Sequence, residues 1–194
     1  MEFSERGTMG PPRLYVMGAS CSGVSTLGST LAARLGLPHL DVDDFYWMPT
    51  DPPYSVKRHP EDRVRLITQR QNDAEGWVLT GSFIGWGDAL VRVVDLIVFL
   101  WTPTAVRLAR LAAREAERHG PRILPGGDMH EAHCAFREWA SRYDDPSFEG
   151  RNQAQHERWL NVQSAPVLRL RGERPPDELA QSVVAALSRR PLRD

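Results

Sequence analysis

Five short apolar runs punctuate the chain, separated by amphipathic stretches of helical length, and this alternation restricts the fold more than any other feature. The runs are RLYVM (13–17), PHLDV (38–42), GWVLT (76–80), DLIVFLW (95–101) and PVLRL (166–170). Largely apolar runs of this length suit strands that are covered on both faces. Helices are expected over 25–36, 60–75, 103–119, 130–144, 149–163 and 177–189. In the first, Leu27, Leu31 and Leu35 repeat at four-residue spacing, and Gly36 with Pro38 ends the run. Pro60, Glu61 and Asp62 open the second, and Thr102 followed by Pro103 opens the third. Strand and helix alternation predicts an α/β fold, a parallel sheet between two helical layers. With 194 residues, 41% of them apolar, the chain can fill one well-buried core.

Composition narrows the partners. The net charge of −1 gives no general positive field, so neither nucleic acid nor an anionic membrane is an expected partner, and small molecules are. The run LIVFLW (96–101) is far below the ~20 residues of a membrane helix. Cys21 and Cys134 form no disulfide framework, which with the polar, signal-free opening MEFSERGTMGPP predicts a soluble, cytoplasmic protein with a disordered lead over 1–12. Of the 24 basic residues one is a lysine, Lys57.

The stretch Gly18-Ala19-Ser20-Cys21-Ser22-Gly23-Val24-Ser25-Thr26 follows the first strand and runs into the first helix. It has the glycines and closing hydroxyls of the phosphate-binding pattern G-x-x-x-x-G-K-[S/T], with Val24 where the lysine stands. Glycine lets the backbone approach phosphate, and the free N–H groups of the helix start favour an anion. Ser25 falls where a hydroxyl can hold Mg²⁺. Cys21, beside the helix start, is either a reactive thiol or a tolerated loop residue. Asp41, Asp43 and Asp44 close the second strand, at the end of the sheet where α/β proteins bind ligands. Arg107, Arg110, Arg114 and Arg118 fall on one narrow face of their helix. The histidines show no metal-ligand spacing, so no metal beyond Mg²⁺ is expected. The Pro- and Gly-rich segments 44–59 and 119–129 fit substrate loops or lids.

Together the loop, the element order and the placement of these segments resemble the adenylate kinase-like members of the P-loop nucleoside and nucleotide kinases, from Arg13 to Leu187. The resemblance implies a five-stranded sheet in the order 2-3-1-4-5 within a domain over 13–190, an acceptor-binding insert over 44–75 and a mobile lid over 115–130. It implies ATP and Mg²⁺, a nucleotide or another small acceptor, and phosphoryl transfer. Asp43 would orient the acceptor, and Arg110 and Arg114 would neutralise the transferring group. Asp41, Lys57, Arg58 and Gly81 would line the acceptor site, where Trp47 and Tyr54 would stack on a ring or pack the insert. Arg137 and Arg142 would reach in from beyond the lid. Asp41-x-Asp43 is similar to the D-x-D of shikimate kinase-type enzymes. Thr80 departs from the group, which has an aspartate before Gly81. With Val24 that makes two departures at the phosphate end, so a nucleotide-binding sensor or scaffold with little catalysis is the competing expectation. No N-K-x-D is present, which speaks against guanine switching.

Overall fold

Each apolar run forms a strand: β1 (Arg13–Gly18), β2 (His39–Asp41), β3 (Trp77–Thr80), β4 (Leu96–Trp101) and β5 (Val167–Arg171). All pair in parallel, in the order β2-β3-β1-β4-β5. The expected α/β class and strand order are those observed. The structure, a computed structural model, describes residues 10–189. Most of the lead-in expected over 1–12 lies outside the described residues.

The sheet is buried on both faces because side chains alternate along each strand. Leu14, Val16, Val78, Leu96, Val98 and Leu100 point to one face, under α1 (Val24–Leu35) and α7 (Pro176–Leu187), which supply Leu27, Leu31, Leu179 and Val183. Tyr15, Met17, Trp77, Leu79, Ile97 and Phe99 point to the other. There they meet Val42 of α2 (Val42–Tyr46), Ile67 of α3 (Pro60–Asn72), and Trp159 and Leu160 of α6 (Gln153–Leu160). Each such apolar side chain contributes about 1.5–3 kcal/mol on burial. Two further helices, α4 (Thr104–His119) and α5 (His130–Ser141), pack together beyond the C-terminal end of β4.

Three local details differ from expectation, each for a visible reason. Residues 42–46, expected to be irregular apart from the end of a strand, form α2, because the Asp41 side chain accepts from Asp43 N at 3.1 Å and caps the turn. Helix α6 starts at Gln153 rather than near 149, because Asn152 caps it: Oδ1 accepts from Gln155 N at 2.8 Å, while Nδ2 donates to Phe148 O and Gly150 O. The segment after α4 is a compact turn, with a 3-10 turn at Gly120–Ile123 and Arg122 bound to both oxygens of Asp128. Its Arg122 also donates to Asp51 at 2.8 Å, joining it to the 47–57 segment. Among the described residues no helix is long and apolar enough to cross a membrane.

Candidate functional site

The turn from β1 into α1 is an open backbone cradle. Cys21 has φ of 61° and Gly23 of 102°, left-handed values that turn successive N–H groups inward. No side chain caps α1, so its first N–H groups are free for an anion. The loop is held from outside: Ser22 O accepts from Thr102 Oγ1 at 3.0 Å and from Arg110 Nη1 at 3.2 Å. Gly172 is needed beside it, since a methyl there would lie 2.2 Å from Thr102 Oγ1 and 2.6 Å from Ser22 O. Ser22 Oγ is buried without a partner among the described residues, and Ser25 is exposed on the first turn of α1. These residues fit a phosphate chain with a hydroxyl toward a cation.

Val24 belongs to the core beneath α1. Val24→Lys is therefore expected to cost about 1–3 kcal/mol by forcing an ammonium against apolar neighbours. Thermal unfolding without nucleotide should show a lowered midpoint, and turnover should not rise.

Of the four arginines of α4, Arg107 is buried against α5, Arg114 is half-buried and Arg110 is exposed. Arg107 is 1% exposed and donates to Thr102 O, Ala140 O and Thr104 Oγ1, with its guanidinium 4.9 Å from the Tyr143 ring centroid. Arg110 turns to the outside of the loop, where Nη2 also binds Gly172 O at 2.9 Å. Arg118 is exposed. Arg114 is half-buried, and its charge acts on the Cys21 thiol and on the Asp43 carboxyl. Burial pushes the Cys21 thiol up, against the pull of Arg114, which leaves it less of a thiolate than an exposed cysteine.

Asp43 sits in the first turn of α2. Burial, and then the neighbouring Asp41, push its carboxyl above the ordinary carboxylate range, while Arg151 and Arg114 pull the other way. Arg151 was not singled out in the sequence, since it precedes the cap of α6 in a polar stretch with no motif. Asn152 anchors it there, and its guanidinium stacks 4.9 Å from the Trp139 ring centroid. Burial pushes Arg151 down, opposed chiefly by Asp43 and then by Tyr15. A second arginine missed in the sequence is Arg63, 6% exposed on α3. Its Nε donates to Arg58 O at 2.6 Å, and its guanidinium lies 3.9 Å from the Tyr46 ring centroid and 5.2 Å from that of Trp86. Among the described residues no carboxylate lies within ion-pair distance of Arg63 or Arg151. Among the described residues neither guanidinium is neutralised by an ion pair. The signal available in sequence was an arginine on the inward face of a helix otherwise marked by Ile67.

The other expected site residues take the following places. Lys57 is exposed, bridged in antiparallel fashion to Trp47, with Nζ 5.9 Å from the Tyr46 ring centroid. Arg58 ties back to Phe45 O at 3.0 Å. Trp47 packs edge-on against Tyr46 and Tyr54, which fits the packing alternative for this pair. Gly81 has φ of 114°, and a methyl there would lie 2.8 Å from Val42 Cβ, so it lets α2 close onto the sheet end. Thr80 is fully buried and its hydroxyl bonds His39 Nε2 at 2.9 Å. Beyond α5, Arg137 is exposed and Arg142 pairs with Asp145 at 3.2 Å and stacks on Phe148, so the arginine that acts on Asp43 from this side is Arg151. Among the described residues no cluster of three or more His, Cys, Asp or Glu side chains is placed to hold a metal ion.

Behind Arg151, His156 is fully buried, with Nδ1 bonded to Tyr143 Oη at 2.8 Å and Nε2 unpartnered. Burial, and then the charge of Arg151, push its pKa down to about 3. The native imidazole thus stays neutral where an unfolded chain takes up a proton near pH ~6.5. Stability from this residue is present above pH ~6.5 and falls with pH through the window down to its depressed value, by about 2 kcal/mol between pH 7 and 5. Urea unfolding at both pH values, for wild type and His156→Gln, should show that difference in wild type and lose it in the variant.

No protein-family model matches the chain. Among solved structures it superposes on a gluconokinase from Sinorhizobium meliloti 1021 with a TM-score of 0.53 at 20% identity, covering 92% of this chain and 93% of that one. A shikimate kinase from Bacteroides thetaiotaomicron gives 0.56 at 15% identity, covering 91% and 98%. At such identities the likeness shows the P-loop kinase fold, in agreement with the expected fold. In sequence the chain is 40% identical over 175 residues to the uncharacterized protein YqaC of Bacillus subtilis (strain 168), covering 90% of this chain and 97% of that one. With the glycine loop at the end of β1, the strand order and this identity together, the chain belongs to the family of YqaC, on a P-loop kinase fold.

Proposed function

We propose that this protein is an ATP-dependent phosphotransferase whose acceptor is a small molecule bearing an anionic group, a nucleotide or a hydroxylated acid. The observation that carries the reading is Asp43 in the field of Arg151 and Arg114, at the sheet end that also holds the glycine loop. ATP·Mg²⁺, when bound, supplies the γ-phosphoryl group and part of its charge neutralisation. The backbone of Gly18 to Thr26 cradles the donor phosphates and Ser25 reaches the cation. Arg63, stacked on Tyr46, and Arg151, in the field of Asp43, receive the acceptor's anionic group. Asp43 accepts a hydrogen bond from the attacking acceptor oxygen, orients it and, where that oxygen is a hydroxyl, takes up its proton. As that oxygen bonds to the γ-phosphorus and the bond to the β–γ bridging oxygen breaks, Arg114 faces the developing charge. Arg110 keeps the loop in shape by holding its outer carbonyl.

Asp43 gives this reading a pH signature. Because Arg151 lowers the Asp43 carboxyl against the push of burial, Arg151→Gln should move the acid limb of kcat/KM to higher pH. The pH–rate profiles of wild type and variant measure it.

A second reading is favoured by the apolar burial of Val24 and by the engagement of the Thr80 hydroxyl with His39: a nucleotide-binding sensor or scaffold with little turnover. Calorimetric titration with AMP-PNP·Mg²⁺ tests nucleotide binding. ADP release with nucleoside monophosphates and hydroxylated acids as acceptors tests transfer. Binding with acceptor-dependent ADP release supports the kinase, and binding without it on any acceptor supports the sensor. Absence of binding for every triphosphate rejects both.

A further inference from the structure

Arg114 is held by an acid that has other company. Glu115 Oε1 accepts from Arg114 Nη2 at 3.2 Å, while Glu115 Oε2 lies 3.9 Å from His119 Nε2 and 3.8 Å from His133 Nδ1. The side chains of Glu115, His119 and His133 are 10%, 8% and 11% exposed. His133 Nδ1 and Arg114 Nε are buried without hydrogen-bond partners among the described residues. The two imidazoles stand just beyond hydrogen-bond distance of a carboxylate whose one charge-assisted partner is Arg114.

The other charged groups around this cluster are engaged or turned away. On α4, Arg107 binds backbone carbonyls, and Glu117 and Arg118 are exposed. On the 3-10 turn Arg122 is taken by Asp128 and Asp51. On α5, His130 Nδ1 lies 2.9 Å from Ile123 O. From the glycine loop, Cys21 lies in the field of both Arg114 and Glu115.

We propose that Glu115 is a positioning residue that parks Arg114, and that transfer of Arg114 to nucleotide phosphate is coupled to proton uptake by the His119–His133 pair. The inference rests on the reading of the glycine loop as a nucleotide site. A phosphate that takes Arg114 leaves Glu115 as a buried carboxylate without its cation, which is costly unless another charge arrives. Of the side chains in this cluster, imidazole is the kind that can change charge in the physiological range, and a protonated ring beside Glu115 replaces the departing cation. One proton on the pair restores the balance. Nucleotide affinity therefore rises as pH falls, because the protonated pair releases Arg114.

Calorimetric titration of the full chain with AMP-PNP·Mg²⁺, at pH 6 and pH 8 and in buffers of different ionisation enthalpy, tests this. Wild type should bind about tenfold more tightly at pH 6 than at pH 8 and take up a fraction of a proton near neutrality. His119→Asn and His133→Asn should each reduce the pH slope, and together should remove it. The single variants keep the test alive where the double variant does not fold. Glu115→Gln should bind at pH 8 as tightly as wild type does at pH 6, with no proton uptake, whereas a merely structural role for Glu115 would weaken binding at every pH. Binding that is independent of pH in wild type, or a slope that survives in the histidine variants, overturns the coupling and leaves the nucleotide site standing. Absence of AMP-PNP binding at every pH overturns both.

Discussion

Asp43→Asn should reduce phosphoryl transfer by about 10²–10⁴-fold while nucleotide affinity stays within about threefold. The amide keeps the size of the side chain, so α2 and its cap by Asp41 are retained. What is lost is the negative oxygen that orients the acceptor, and Arg151 loses the carboxylate that most opposes the effect of its burial. Single-turnover ADP release and AMP-PNP titration on the same preparation separate the two effects. A variant with wild-type turnover would remove Asp43 from the reaction.

The second large effect is expected at Arg114. Arg114→Met should lower kcat by about 10²–10³-fold, the range found when one donor to developing charge is removed. The substitution is best made in a Glu115→Gln background, since otherwise it strands a buried carboxylate and confuses stability with catalysis. Compared with Glu115→Gln alone, the double variant isolates the guanidinium. Arg114→Lys should recover part of the rate, because charge returns without the planar fork. A rate unchanged by Arg114→Met would mean that the charge normally supplied by the loop lysine is not replaced from α4.

These two residues were legible in the sequence for different reasons. Asp43 stands out because carboxylates at a strand's C-terminal end face the ligand crevice. Arg114 was one of four arginines on one helix face, and spacing alone could not rank them. Tertiary packing separated them: Arg107 went inward onto carbonyls, Arg110 onto the back of the loop, Arg114 onto Glu115 with its charge in range of Asp43, and Arg118 stayed exposed. Arg63 and Arg151 carried no sequence signal as a pair, since they lie on α3 and ahead of α6, far apart in the chain.

By itself the sequence determined the α/β class, the five strands, the glycine loop at the end of β1 and the absence of a lysine from it. Those features depend on side-chain periodicity and on residues within a few positions of one another, such as Gly23 at its positive φ and Gly36 closing α1. Only the tertiary structure decided what each arginine of α4 binds. Arg110 and Ser22 are 88 residues apart, and whether a guanidinium binds a backbone carbonyl or is left for a ligand depends on which unpaired acceptors the folded chain brings within its reach.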